Sequence, residues 1–235
     1  MKKLALIFGG SRGIGAACVQ ALAEDGYDVA STYVATAPIA AEGGIKAYRA
    51  DVCAADQVES VFGDVTRDFG RAPDCVIANA GINVPPAPLA QFDPAQFRKL
   101  IEVNVVGAFN VLRTAAQKVN DGGTIIALTT SLVRHALPGV GPYCATKAAV
   151  ECLVRSLAKE LSARKVRVNG VAPGPVDTDL FRAGKTEEAK ARSAALSPLN
   201  RVGTPSEIAA VVVFLASEKA AWIHGQIVQP NGGLV

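Results

Sequence analysis

The sequence is poor in the residues that metal sites and disulfide frameworks require. It has two histidines, neither spaced from another ligand as in a zinc site, and five cysteines that form no CxxC pair. An odd number of scattered cysteines favours reduced thiols that act as small core residues in the cytosol. We therefore expect no metal site and a cytoplasmic location.

Long apolar runs and runs of one charge are also missing. The apolar stretch 208–216 is far shorter than the roughly 20 residues of a membrane-spanning helix. The apolar run that follows Lys2 and Lys3 is too short for a signal peptide. The 24 basic and 21 acidic residues are spread along the chain and give a net charge of +3. We therefore expect neither a membrane protein nor a nucleic-acid-binding protein.

What the sequence does have is a regular alternation of short apolar runs and longer helical patterns. The predicted strands are 4–8, 29–33, 75–78, 124–128 and 166–171, with weaker candidates at 45–50 and 227–229. The predicted helices are 14–24, 56–68, 94–119, 143–163 and 205–216. This alternation is typical of a parallel sheet covered on both faces. Without a linker or a repeat, residues 1–235 are predicted to form one α/β domain, a Rossmann-type doubly wound sheet of about seven strands.

Local signals define two helix starts and two irregular regions. Asp93 is a predicted N-cap, and Thr204 with Glu207 is a predicted capping box. The connection after Tyr33 has room for only a stub of helix, interrupted by proline and glycine. Residues 177–198 are predicted to form a long loop, and such loops often carry binding function.

A glycine-rich turn follows the first predicted strand and opens the first predicted helix. Gly9, Gly13 and Gly15 have the spacing GxxxGxG. Without Cβ atoms the turn can tighten and its backbone can approach a pyrophosphate, whose charge the helix N-terminus favours. Ordinary turns also use glycine freely, but the position directly after a buried strand indicates a nucleotide site.

Tyr143 and Lys147, in the stretch GPYCATK, stand four residues apart on a predicted helix. Side chains at this spacing lie on one face. A cation beside a phenol lowers the pKa of the phenol from about 10, so the tyrosine would exchange a proton near neutral pH. The alternative is a surface tyrosine beside a solvated lysine, and the spacing alone does not decide between them.

Five motifs together resemble the classical short-chain dehydrogenase/reductase family. They are GGSRGIG at 9–15, ANAG at 78–81, VNVVG at 103–107, YCATK at 143–147 and PGPVDT at 173–178, in the order that this family shows. The resemblance covers essentially the whole chain and extends to bacterial 3-oxoacyl-[acyl-carrier-protein] reductases. It implies an NAD(P)-dependent enzyme that acts on a small carbonyl or alcohol and assembles as a homotetramer or dimer.

The same resemblance implies a catalytic tetrad of Asn104, Ser131, Tyr143 and Lys147. Tyr143 would exchange a proton with the substrate oxygen, while Lys147 would lower its pKa and hold the nicotinamide ribose. Ser131 would bond the substrate carbonyl, with Thr130, which is one residue closer to the usual spacing, as the alternative. Asn104 would kink its helix and hold a water on the proton path. Either hydroxyl could instead finish a strand by bonding local backbone.

Cofactor contacts carry over by the same resemblance. Besides Tyr143 and Lys147, the expected cofactor-binding residues are Gly9, Ser11, Arg12, Gly13, Ile14, Gly15, Asp51, Val52, Asn79, Ala80, Gly81, Pro173, Gly174, Val176 and Thr178. For Asp51 the alternative is a plain N-cap of the helix near residue 56.

The chain departs from the family pattern at several positions. Phe8 and Ala78 replace a usual Thr and a usual Asn, which removes polar groups near the cofactor. Asn231 stands where an Asp is common. Arg134 replaces a usual glycine beside His135, and this pair either favours acidic substrates or is a solvated part of the loop.

These observations predict an NADPH-dependent carbonyl reductase. NAD specificity in such folds relies on a carboxylate at the end of the second strand, where this chain has Val34 and no acid before Glu42. Arg12 can pair with a 2′-phosphate, and Thr32 or Thr36 can add hydroxyl donors. The alternatives are an NAD-dependent alcohol dehydrogenase and a non-catalytic nucleotide-sensing protein on the same fold.

Overall fold

The computed structural model describes residues 2–35 and 45–235, which contain a seven-stranded parallel sheet. The strands are β1 Leu4–Phe8, β2 Asp28–Tyr33, β3 Ile45–Arg49, β4 Cys75–Ala78, β5 Thr124–Leu128, β6 Arg167–Val171 and β7 Ile227–Val228. Their order across the sheet is β3-β2-β1-β4-β5-β6-β7, and every neighbouring pair is parallel. The predicted doubly wound sheet is confirmed. Thr36, Glu42 and the rest of the connection at 36–44 lie outside the described residues.

The described residues also contain eight α-helices. They are α1 Gly13–Glu24, α2 Ala55–Phe69, α3 Pro94–Ile101, α4 Gly107–Lys118, α5 Gly141–Glu160, α6 Asp179–Arg182, α7 Glu187–Ala195 and α8 Pro205–Ala216. None of the helices in this part of the chain is long and apolar enough to cross a membrane.

The helix boundaries confirm some predictions and correct two. Asp93 caps α3, and Thr204 with Glu207 forms the capping box of α8. The single helix predicted at 94–119 is divided into α3 and α4 by a π-helical turn. The loop predicted at 177–198 contains α6 and α7, because threonine hydroxyls cap both of these short helices.

Two apolar layers cover the two faces of the sheet. Leu4, Leu6 and Phe8 of β1 pack towards α2, α4 and α5, whereas Ala5 and Ile7 pack towards α1 and α8. Side chains alternate between the faces of a strand, so both sets come from one short segment. All of β1 is therefore buried, as the apolar run in the sequence predicts.

The edge formed by the carboxyl ends of the strands is where a site is expected. The strand order reverses beside β1, which has β2 on one side and β4 on the other. In open α/β sheets, ligands bind in the crevice beyond the strand ends at such a switch point. The glycine turn after β1 and the segment after β4 both lie at this edge.

Candidate active site

The glycine turn between β1 and α1 packs directly against the segment after β4. Gly9 has a φ of +85°, and a Cβ there would lie 2.8 Å from the Cα of Ala80. A Cβ on Gly15 would lie 2.0 Å from the Gly9 carbonyl oxygen, to which Asn79 Nδ2 donates at 2.7 Å. Arg12, the N-cap of α1, makes no side-chain capping bond. The turn therefore requires glycine, and the first amides of α1 are left for an anion.

A cleft of about 650 Å³ opens at this edge of the sheet. Small-molecule sites typically have volumes of about 300–1,000 Å³. The cleft wall brings together many of the predicted cofactor residues: Gly9, Ser11, Arg12, Gly13, Ile14, Asp51, Val52, Asn79, Ala80, Gly81 and Thr178. Its size, its glycine backbone and its helix N-terminus fit a dinucleotide.

Two wall residues have further local roles. Asp51 Oδ1 accepts the backbone N–H of Cys53, and the N-cap of α2 is Ala54. The alternative interpretation of Asp51 as that N-cap is therefore wrong. Thr32 Oγ1 accepts the N–H of Gly9 at 3.0 Å, so this side chain ties the end of β2 to the glycine turn.

The predicted contacts at 173–176 are held by backbone packing outside the cleft wall. A Cβ on Gly174 would lie 2.9 Å from the Cα of Asn231, so the missing side chain lets the C-terminal segment approach. The Val176 side chain is buried in the core. The β-bridge that pairs Val176 with Gly203 consists of two hydrogen bonds: Asp177 N–H donates to the Gly203 carbonyl, and Gly203 N–H donates to the Pro175 carbonyl. The N–H and C=O groups of Val176 itself take no part in the bridge.

Tyr143 and Lys147 lie one turn apart near the start of α5. Lys147 is 6% exposed, and its Nζ donates to the Leu128 carbonyl at the end of β5 at 3.0 Å. A Cβ on Gly81 would lie 3.2 Å from the same Nζ, so this glycine lets the segment after β4 pass close to the ammonium. Burial lowers the pKa of Lys147 to about 8. The lysine is a buried, poised cation and not a solvated surface group.

The pKa of Tyr143 is shifted in the direction opposite to the prediction. Burial, with a smaller contribution from Cys144, raises the pKa of Tyr143. Low-dielectric surroundings disfavour the phenolate, and the Lys147 ammonium is turned to the Leu128 carbonyl. The tyrosine is consequently a protonated phenol that can donate.

Asn104 occupies the π-helical turn Glu102–Val106 and is buried. Its Oδ1 accepts the N–H of Ile82 at 2.8 Å, and its Nδ2 donates to the Ile82 carbonyl at 2.9 Å and to Thr146 Oγ1 at 3.2 Å. Thr146 Oγ1 donates to the Tyr143 carbonyl at 2.7 Å. The expected interruption of the helix is present, and Asn104 links the segment after β4 to the turn of α5 that carries Tyr143.

The two candidate hydroxyls after β5 have different surroundings. Ser131 is fully buried, where its Oγ donates to the Ala172 carbonyl at 2.7 Å and accepts from Asn231 Nδ2 at 3.1 Å. Thr130 is 7% exposed, and its Oγ1 accepts the N–H of Leu132 at 3.3 Å. Within residues 2–35 and 45–235, the Thr130 hydroxyl donates its proton to no partner. Ser131 therefore joins this loop to the C-terminal segment, and Thr130 keeps a donor free.

The departures at Phe8 and Ala78 compensate each other. The two residues are register partners in the β1–β4 pair, and both belong to the same core cluster. Phe8 is fully buried, with its ring centroid 5.7 Å from that of Phe62. A large residue on one strand thus stands beside a small one on the next, so apolar packing replaces the polar pair at these two positions.

Arg134 and His135 directly follow the short helical turn that contains Ser131. Both of their backbone N–H groups donate to the Ser131 carbonyl, at 3.0 and 2.9 Å. Arg134 is exposed and His135 is half-buried. Their proposed preference for acidic substrates stays a prediction.

Two contributors to the site were missed in the sequence. Thr146 bridges Asn104 and Tyr143, and the available signal was its position three residues after Tyr143, on the same helix face. Asn231 bonds Ser131 from a hundred residues away, and no local pattern predicts such a contact.

Comparison with known proteins extends over almost the whole chain. Residues 9–235 match the family model described as enoyl-(acyl carrier protein) reductase. The chain is 38% identical to the NADPH-dependent aldehyde reductase-like protein, chloroplastic, of Arabidopsis thaliana, over 99% of this chain and 94% of that protein. It is 36% identical to the 3-oxoacyl-[acyl-carrier-protein] reductase FabG of Staphylococcus aureus, over 100% of this chain and 98% of that protein. A solved short chain dehydrogenase from Burkholderia cenocepacia in complex with NADP superposes with a TM-score of 0.88 at 30% identity, covering 99% of this chain and 97% of that one.

Proposed function

We propose that this chain, which belongs to the short-chain dehydrogenase/reductase family of NAD(P)-dependent oxidoreductases, uses NADPH to reduce a ketone or 3-oxoacyl carbonyl to an alcohol. The observation that carries the proposal is a protonated Tyr143 one helical turn from a buried Lys147, beside a cleft that fits a dinucleotide. When bound, NADPH supplies the hydride. The residues of the chain position the substrate, donate a proton to it and stabilise the charge that develops. Residues 1–235 act as one unit in this proposal, supported by the single sheet of the described residues.

Tyr143 is the proton donor to the substrate oxygen. The raised pKa of the half-buried Tyr143 keeps its phenol protonated, so that it can donate to the substrate oxygen. The Lys147 ammonium, on the same helix face, stabilises the negative charge that then develops on the tyrosine oxygen, once the ammonium turns from the Leu128 carbonyl towards Tyr143. Asn104 acts as a positioning residue, because it fixes the segment that passes beside that ammonium.

A hydroxyl of the loop after β5 is proposed to donate to the substrate oxygen. The free proton of Thr130 supports Thr130 for this role, whereas the bonds of Ser131 to Ala172 and Asn231 support a structural role. Thr130→Val should therefore lower kcat by about tenfold or more, because the loss of one hydrogen-bond donor to a developing oxyanion lowers kcat by at least that factor. Steady-state kinetics of Thr130→Val and Ser131→Ala provide the check. A normal kcat for Thr130→Val, with a large loss for Ser131→Ala, would restore Ser131 as the donor.

An absorbance assay at the nicotinamide band tests the proposed reaction. The substrate panel contains ketones, a 3-oxoacyl thioester and a 2-enoyl thioester. The 2-enoyl thioester is included because the matching family is described as enoyl-(acyl carrier protein) reductase. We expect NADPH to be consumed with carbonyl substrates. If NADPH were consumed only with the enoyl thioester, the enzyme would reduce a carbon–carbon double bond and not a carbonyl group.

NADP(H) is proposed as the preferred cofactor over NAD(H). In the described residues, β2 ends at Tyr33 and is followed by the exposed, apolar Val34, so no carboxylate is present there to repel a 2′-phosphate. The strand's own acid, Asp28, lies at the opposite end and pairs with Arg71. Arg12 is exposed on the wall of the cleft. The Arabidopsis relative is named as an NADPH-dependent protein and the Burkholderia structure is a complex with NADP, and both add support.

Replacing Arg12 by alanine should raise the KM for NADPH by about tenfold and leave the KM for NADH nearly unchanged. The reason is that a charge-assisted bond to the 2′-phosphate, which NADH lacks, contributes roughly this much. Parallel kinetics with the two cofactors measure the effect. Equal increases of both KM values would instead indicate a general role of Arg12 in the glycine turn.

The outer face of α5 supports a homotetramer. Val150 and Val154 are buried against the sheet, whereas four small residues of the same helix are exposed or half-buried: Ala145, Ala148, Ala149 and Cys152. Small residues make this face flat enough for another helix, and Phe109 on the neighbouring α4 is 47% exposed. Light scattering at micromolar concentration should give four times the 24.2 kDa chain mass. A monomer mass under those conditions would contradict the assembly.

A further inference from the structure

Arg49 stands at the edge of the sheet where the adenosine end of a dinucleotide is expected. It is the last residue of β3 and the register partner of Tyr33, the last residue of β2. Because the two strands are parallel, both residues lie at the carboxyl edge. The Nε of Arg49 donates to the Val34 carbonyl at 3.2 Å. The guanidinium is thus fixed beside the position that distinguishes the two nicotinamide cofactors.

The space around Arg49 adjoins the cofactor cleft. The lining of a second cavity includes Arg49, Gln57, Ser60 and Asp64, and it shares Val34, Ala50 and Asp51 with the cleft. Arg12 also lines the cleft, and its glycine turn follows β1, which flanks β2 on the side opposite β3. The two arginines therefore approach the end of β2 from the glycine turn and from β3.

In the part of the chain that the structure describes, Arg49 forms no ion pair, although Asp51 and Asp64 line the same cavity. Within residues 2–35 and 45–235, no carboxylate oxygen lies within 4.0 Å of its guanidinium nitrogens. With Nε engaged at Val34, the two terminal nitrogens remain as a planar pair of donors. Such a pair matches the geometry of a phosphate better than a lysine does.

We propose that Arg49 binds the 2′-phosphate of NADP(H) together with Arg12, and so sets cofactor preference from the β3 side. This inference rests on the proposed function, since it assigns a second ligand to the same cofactor. In the sequence, the cofactor preference is predicted from the glycine turn and from the end of β2. No residue of β3 enters that prediction. The register of β2 and β3 and the bond to Val34 bring Arg49 to the site.

Equilibrium binding of NADP⁺ and NAD⁺ to the full chain, measured by calorimetry, tests the proposal. Arg49→Ala should raise the Kd for NADP⁺ about tenfold and change the Kd for NAD⁺ less than twofold, which corresponds to the loss of one charge-assisted contact. The same contrast is expected between 2′,5′-ADP and 5′-AMP, which lack the nicotinamide. Arg49→Lys keeps the charge but loses the paired donors, so its Kd for NADP⁺ should lie between those of the wild type and the alanine variant.

Lys46→Ala is the matched control, because it removes one positive charge from the other end of β3, where Lys46 contacts Asp68 and Phe69. It should leave both Kd values within twofold. An unchanged Kd for NADP⁺ in Arg49→Ala would overturn the proposal. An equal loss for both cofactors would also overturn it and would indicate stacking on the adenine. If the wild-type protein binds NAD⁺ as tightly as NADP⁺, the proposed cofactor preference itself fails, which is a distinct result.

Discussion

Replacing Tyr143 by phenylalanine is expected to lower kcat by about 10²–10⁴, because a positioned general acid contributes that much. The ring and its packing remain, so the only loss is the proton that the substrate oxygen receives. Cofactor binding should survive, since the cleft wall is formed mainly by the glycine turn and the segments after β2, β3 and β4. Single-turnover rates and the Kd for NADP⁺ measure the two effects separately.

Tyr27→Phe is the matched control for this variant. It also removes one phenol hydroxyl, which bonds the Ala216 carbonyl at 3.2 Å on the face of the sheet that α8 covers. It should keep kcat within twofold of the wild type. If Tyr143→Phe kept more than half of the wild-type kcat, Tyr143 would not be the proton donor.

Replacing Phe8 by alanine should lower the free energy of unfolding by about 3–5 kcal/mol, as for other fully buried phenylalanines. The ring fills the space beside Ala78 and against Phe62, and the neighbouring strands cannot collapse into the cavity. Urea unfolding at one fixed protein concentration gives the change, since assembly makes the apparent stability depend on concentration. Phe214→Ala, at a position that is 41% exposed, should cost less than half as much.

The compensation between positions 8 and 78 is tested by the double variant. Phe8→Thr leaves a cavity with a buried hydroxyl, and Ala78→Asn places an amide beside a large ring, so each change alone should destabilise. Together the two polar side chains can bond across the strand pair and refill the space. We expect the double variant to be more stable than the sum of the single effects by about 1–3 kcal/mol. Additive losses would mean that the two positions are independent.

The fold was predictable because its periodicity is strong. The bounds of β1, β4 and β5 agree with the prediction, since continuous apolar runs bounded by turns define buried strands. Region 177–198 was mispredicted as loop because α6 and α7 are short and polar, and only their threonine caps mark them. Apolar periodicity detects helices that cover a sheet and overlooks helices that do not.

The candidate site was predictable in position but not in electrostatics. Ordered motifs placed Gly9, Asn79 and Thr178 around one cleft, because parallel strands bring their carboxyl ends to one edge. The pKa of Tyr143 could not be predicted, because it depends on burial and on where the Lys147 ammonium points. Register likewise decides that Phe8 meets Ala78, and register is a property of the sheet and not of either segment.

Transfer of deuterium tests the central claim most directly. NADPH in which both hydrogens at the reactive carbon of the nicotinamide are deuterium is incubated with the enzyme and a carbonyl substrate identified by the absorbance assay, and the product alcohol is examined by mass spectrometry. The account predicts one deuterium on the carbinol carbon in the wild type, and a yield lowered by about 10²–10⁴ in Tyr143→Phe at equal time. A product alcohol without deuterium, formed while NADPH is consumed, would contradict direct hydride transfer in this site.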